Sequence, residues 1–129
     1  MKDKNVIYDK SFAFAIKIVH LYEKLRNEKK EFIMSKQILR SGTSIGANVS
    51  EAVEGQSKKD FISKLSIGLK EANETKYWIN LLIATNYLTK EVGENLLNDL
   101  NEIIKILVSI LKTSKNNYKS DSKVSIDQD

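Results

Sequence analysis

A chain of 129 residues with 41% hydrophobic and 29% charged side chains is long enough for one packed core and has the balance of an ordinary globular domain. It contains no cysteine, which excludes disulfides and thiolate metal ligation. No apolar run approaches the roughly 18 residues that a membrane-spanning helix needs. The opening segment MKDKNVIYDKSF carries acids and lacks an apolar stretch, so it is not expected to be a signal peptide, and a cytoplasmic location in a prokaryote is the expectation.

Proline is absent and only five glycines occur. Together with pervasive 3.6-residue periodicity, this predicts an all-α domain of long, uninterrupted helices. A first helix is expected over 8–30, with Phe12, Ala15/Ile16, Val19, Tyr22 and Leu25/Arg26 as its inward stripe and Asp9 or Ser11 as its cap. After a short connection, a second helix over 33–54 carries Ile38, Gly42, Ile45, Val49 and Ala52/Val53 on one face. Arg40, Ser44, Asn48 and Glu51 form a polar stripe on another face. Gly42 and Gly46 each cost about 1 kcal/mol of helix propensity relative to Ala, so a neighbour's close backbone approach is the expected compensation. With Ser50 they make a groove of small residues. Gly55 falls where the pattern stops, as expected just beyond a helix end.

Ser57-Lys58-Lys59-Asp60 resembles a capping box and opens a third helix over 58–86, with Phe61, Leu65, Leu69, Ala72, Ile79 and Ile83 on its core face. Thr89 caps a fourth helix over 90–113, the most apolar of the four through Val92, Leu96, Leu100, Ile103/Ile104, Leu107 and Ile110/Leu111. Residues 115–129 are rich in Ser, Lys and Asp and are expected to form a disordered tail. Four helices with short connections predict an antiparallel up-down-up-down bundle over 1–114.

No catalytic constellation stands out. The single histidine, His20, lacks the Glu three residues before it that a di-iron bundle site requires, and it has no evident Ser or Asp orienter for base catalysis. Gly42 and Gly46 lack the preceding strand and the following Gly-Lys-Ser/Thr of a phosphate loop. Glu51, Glu54, Glu71 and Glu74 are expected to pair with cations rather than to bind metal, with Arg40 as the natural partner. Arg26 and Arg40 are the only arginines, and an arginine within a small-residue helix suggests a planar, two-pronged contact that lysine could not make. No cofactor and no enzymatic activity are expected.

Charge is unevenly placed. Residues 1–36 hold nine basic against five acidic side chains, and residues 37–129 hold twelve of each, so the whole excess lies in the first helix and its flanks. Lys10, Lys17 and Lys24 recur every seven residues along one side of that helix. Such a stripe is either an ordinary solvated face or a contact for nucleic-acid phosphates. Tyr8, Tyr22, Tyr77 and Trp78 fall near apolar stripes and are expected in the core or an interface rather than as base-stacking platforms.

The run from Gln37 to Ala52, followed by Gly55, Ser57-Lys58-Lys59-Asp60-Phe61 and Lys70-Glu71-Ala72-Asn73-Glu74-Thr75, resembles the four-helix-bundle proteins encoded in bacterial 23S rRNA intervening sequences, over roughly residues 8–112. Gly46 stands where relatives often carry proline, and Gly42 replaces a usual alanine. Both departures loosen the helix but keep it slender. The resemblance implies assembly as a homopentameric ring, and kinship with the accessory variability protein of diversity-generating retroelements, which binds nucleic acid and partners a reverse transcriptase. On this footing the expected function is that of a non-enzymatic oligomer. It binds RNA or DNA without reading sequence, through Lys10, Lys17, Lys24, Lys29 and Lys30. Arg40, Gly42, Ser44, Gly46, Asn48, Glu51 and Gly55 are expected to be structural or at an interface. The alternative is an oligomeric scaffold for a partner protein such as a polymerase.

Overall fold

The computed structural model describes the backbone of residues 2–128 and the side chains of residues 6–117. It consists of α1 (Lys2–Asn27), α2 (Met34–Val53), α3 (Lys58–Ala84) and α4 (Lys90–Gln128), with no strand among the described residues. Each helix packs on its neighbours in chain order and α4 returns to α1, which closes a four-helix bundle. Contact registers run in opposite directions across each seam. Ile18 meets Gly42 and Ser11 meets Gly46 between α1 and α2. Ser41 meets Thr75, and Glu51 meets Lys64, between α2 and α3. Lys10 meets Glu102 and Lys17 meets Asp99 between α1 and α4.

The turns are built by local hydrogen bonding. Ser57 caps α3 by accepting the Asp60 N–H at 3.0 Å, and Thr89 accepts the Val92 N–H at 3.2 Å at the start of α4. α3 ends in a Schellman turn: Tyr87 N–H donates to the Leu82 carbonyl at 2.9 Å and Asn86 N–H to that of Ile83 at 3.1 Å, with Asn86 left-handed at φ 66°. α1 ends in a wider turn, Glu31 N–H reaching the Leu25 carbonyl at 2.9 Å over Lys30 at φ 54°. Gly55 lies just past α2 as expected, but its φ is negative, and its N–H closes the helix on the Ala52 carbonyl at 3.0 Å.

The start of α2 depends on a residue that periodicity does not reveal. Glu31 is only 8% exposed, and its carboxylate accepts the Ser35 N–H at 2.8 Å and the Ile33 N–H at 3.1 Å. The Ser35 hydroxyl donates back to the Glu31 carbonyl at 2.9 Å. A negative charge thus sits on the unsatisfied amides and positive dipole end of α2.

Three expectations are corrected. α1 begins at Lys2, so neither Asp9 nor Ser11 is a cap; Ser11 is fully buried and donates to the Tyr8 carbonyl at 3.1 Å. Nothing before Tyr8 breaks a helix, and Ile7 gains burial by extending it. α4 continues through the segment expected to be a disordered tail, because no glycine or proline follows Gly93 to stop it; the side chains of 118–129 lie outside the described residues. The inward face of α1 is not the expected one. Ile7, Phe14, Ile18, Leu21 and Leu25 fill the core, whereas Phe12, Ile16 and Val19 are 56%, 46% and 39% exposed.

The other three helices bury the expected faces in the main. Ile38, Ile45, Val49 and Ala52 of α2 meet Phe61, Leu65, Ala72 and Ile79 of α3, and Leu96, Leu100, Ile103 and Leu107 complete the core from α4. Val53 and Val92 lie outside it.

Candidate functional site

The polar stripe of α2 is a seam to α3. Arg40 Nη1 donates to Glu71 Oε2 at 3.1 Å, its Nη2 donates to Glu74 Oε2, and the Trp78 indole N–H reaches that same oxygen at 3.1 Å. This is the two-pronged contact expected of Arg40, made within the chain, although the Arg40 side chain remains half exposed. Beneath it, the Thr75 hydroxyl lies 2.9 Å from that of Ser41. Ser44 and Asn48 satisfy themselves on α2, donating to the carbonyls of Arg40 at 2.6 Å and Ser44 at 2.8 Å. Glu51 pairs with Lys64 at 3.4 Å. These carboxylates therefore face cations, and no cluster of three metal-capable side chains occurs among the described residues.

Gly42 and Gly46 mark the closest approach of α1. A Cβ on Gly42 would fall 2.8 Å from Ile18 Cγ1, and one on Gly46 would sit 3.4 Å from the Ser11 carbonyl oxygen. These glycines serve the fold of the chain itself.

The five candidate lysines separate into two groups. Lys10 and Lys17 reach across to α4, where they pair with Glu102 at 2.8 Å and Asp99 at 2.5 Å. Lys24, Lys29 and Lys30 make no ion pair among the described residues, and all three are exposed at the end of the bundle where α1 finishes. His20 is exposed too, with Nδ1 3.8 Å from Glu23. The seven-residue spacing of Lys10, Lys17 and Lys24 correctly placed them on one side of α1. It carried no information about acids on a helix some 80 residues further along the chain.

A surface that the sequence reading had turned inward lies on the opposite flank of α1. Tyr8, Phe12, Ile16 and Val19 form a continuous exposed apolar stripe, with the Tyr8 and Phe12 rings stacked 6.1 Å apart. Arg26 extends it at the α1–α2 turn, lying over the rings of Tyr22 at 5.2 Å and Phe32 at 5.4 Å. Elsewhere, Tyr77 is 59% exposed and meets the half-buried Trp78 edge-on.

The described residues thus form a four-helix bundle with one apolar flank on α1 and one cationic end. The chain belongs to the 23S rRNA-intervening sequence protein family, whose model matches residues 3–109. It is similar to a crystal structure from Bacteroides thetaiotaomicron described as a protein of unknown function from the S23 ribosomal protein family. That structure is 62% identical, with a TM-score of 0.84 over 85% of this chain and 98% of its own. No functionally curated protein matches the chain. Among the described residues, no helix is long and apolar enough to cross a membrane.

Proposed function

We propose that the protein is a non-enzymatic, self-associating bundle, held to copies of itself by the outer flank of α1 and presenting the cationic end of that helix to nucleic-acid phosphates. The observation that carries this reading is the stripe Tyr8–Phe12–Ile16–Val19. Four large apolar side chains at helical spacing, each 39% or more exposed, are a contiguous patch of the kind that marks an association site. The number of copies implied by the family resemblance is five, in a closed ring, which requires the flank to meet a different surface on the next copy. A ring repeats each cationic end around one axis and concentrates its potential. Lys24, Lys29 and Lys30 are the phosphate contacts in this reading, with Lys10 and Lys17 neutralised by α4. A cytoplasmic setting suits such a role.

Light scattering tests the assembly. The wild-type protein is expected at a multiple of its 14.7 kDa chain mass, and the double variant Phe12→Asp, Ile16→Asp at a single chain with unchanged helicity. A monomeric wild-type protein would overturn the reading. For nucleic acid, affinity for structured RNA should fall as salt rises. The variant Lys24→Glu, Lys29→Glu, Lys30→Glu should abolish binding, whereas reversing Lys10 and Lys17 should weaken it less.

The pairing of Lys10 and Lys17 with Glu102 and Asp99 also favours a second reading, an assembled scaffold for a polymerase-type partner without nucleic-acid contact. Assembly without any gel shift of RNA or duplex DNA at low salt would select it.

A further inference from the structure

Where α1 ends and α3 turns into α4, a cavity of about 410 Å³ opens between α1 and α4. This is within the range of about 300–1,000 Å³ typical of small-molecule sites. Its floor is apolar, formed by Leu21 and Leu25 of α1, Leu88 of the turn, and Val92 and Leu96 of α4. Its rim is cationic: Lys17, Lys24 and Lys29 line it and no carboxylate does. Lys17 is already held by Asp99, which leaves Lys24 and Lys29 as the charges available to an occupant. Asn86 and Asn95, both exposed, also line it, and each carries an amide able to donate and accept.

Each layer constrains the ligand. Two ammonium groups that make no ion pair among the described residues, on a rim that no carboxylate lines, call for an anion. The leucine floor calls for an apolar or aromatic body beneath it. An alkyl chain would meet the floor but would offer the two amides no hydrogen-bond partner. A heteroaromatic ring satisfies both, with its face on the leucines and its polar edge toward the amides. We propose that this cavity binds a nucleotide, its base on the Leu21–Leu25–Leu96 floor with its edge at Asn86 and Asn95, and its phosphate between Lys24 and Lys29. This deepens the nucleic-acid reading above, on which it rests only in part. A free mononucleotide and an unpaired nucleotide of a strand present the same chemistry.

Equilibrium binding of AMP, UMP, adenosine, hexadecanoate and a ten-residue oligouridylate to the full-length protein tests the assignment. AMP and UMP should bind saturably, and adenosine, which lacks the phosphate, about tenfold more weakly. Lys24→Gln with Lys29→Gln should remove that difference. Val92→Trp, at a position 42% exposed and therefore tolerant of bulk, should fill the cavity and abolish mononucleotide binding. Oligouridylate binding tighter than UMP and lost in Val92→Trp identifies a strand as the source. Mononucleotide binding with no affinity for the oligomer or for long RNA identifies free nucleotide and removes the nucleic-acid reading. Long-RNA binding that Val92→Trp leaves unchanged, with no mononucleotide binding, overturns the cavity assignment and spares the wider reading. Hexadecanoate binding in place of AMP and UMP overturns it too.

Discussion

α1 meets its two neighbours by different means. Against α2, Gly42 stands so close to Ile18 that a Cβ would not fit, and Gly46 stands opposite the Ser11 carbonyl at van der Waals range. Against α4, contact is less extensive and is bridged by the lysine–carboxylate pairs at Glu102 and Asp99. Two cavities open along this second seam, the one of about 410 Å³ at the end of the bundle and one of about 160 Å³ beneath Lys10 and Lys17. Side chains that interlock through a missing Cβ define one geometry. Long, solvated ion pairs tolerate several, and they leave room for a ligand. The tight seam fixes the register of α1 on α2, and the loose seam leaves space between α1 and α4.

The sharpest way to break this contrast is Gly42→Leu. The new side chain would be driven into Ile18, and the expected cost is about 3 kcal/mol in urea unfolding, partly recovered when Ile18→Ala is added. A fully additive double mutant would show that the two residues do not share the space. Next comes Glu31→Ala, which strips the cap from α2 at the turn joining the tight pair and should cost about 1–2 kcal/mol, with Glu31→Gln recovering part through its remaining acceptor. Gly46→Ala sharpens the comparison from the same seam. Its Cβ would meet Ser11 at ordinary van der Waals distance, so the gain in helix propensity should leave the protein unchanged or more stable by up to about 1 kcal/mol. The smallest effect is expected across the loose seam. Lys10→Ala and Lys17→Ala should each shift stability by less than about 0.5 kcal/mol at physiological salt, because both pairs are solvent-exposed and screened. A larger loss would show that this seam is not the loose one.

Most of the helical architecture was legible in the chain. Ser57 and Thr89 cap where their spacing placed them, and the buried positions of α2 follow its apolar repeat, because capping and periodicity are local properties. Arg40 was legible in kind, since a lone arginine beside carboxylates invites a bidentate contact. Its exposure was not legible. The error on α1 has a definite cause. That helix carries two apolar stripes that both fit a helical repeat, Ile7–Phe14–Ile18–Leu21–Leu25 and Tyr8–Phe12–Ile16–Val19, and a single helix supplies no reason to bury one rather than the other. Glu31 was missed because its carboxylate reaches forward to amides two and four residues on, at the start of a helix that begins after it, where no Ser/Thr-x-x-Glu pattern announces it.

Composition and periodicity alone determined an all-α chain of four helices, its breaks, and the slenderness of α2 at Gly42 and Gly46, since these follow from backbone sterics within a few residues. Packing decided which flank of α1 faces outward, which lysines are neutralised by α4, and where a cavity opens beside Lys24 and Lys29. Those outcomes depend on side chains from distant parts of the chain meeting at fixed distances, and helical spacing within one segment carries no record of what will lie across from it.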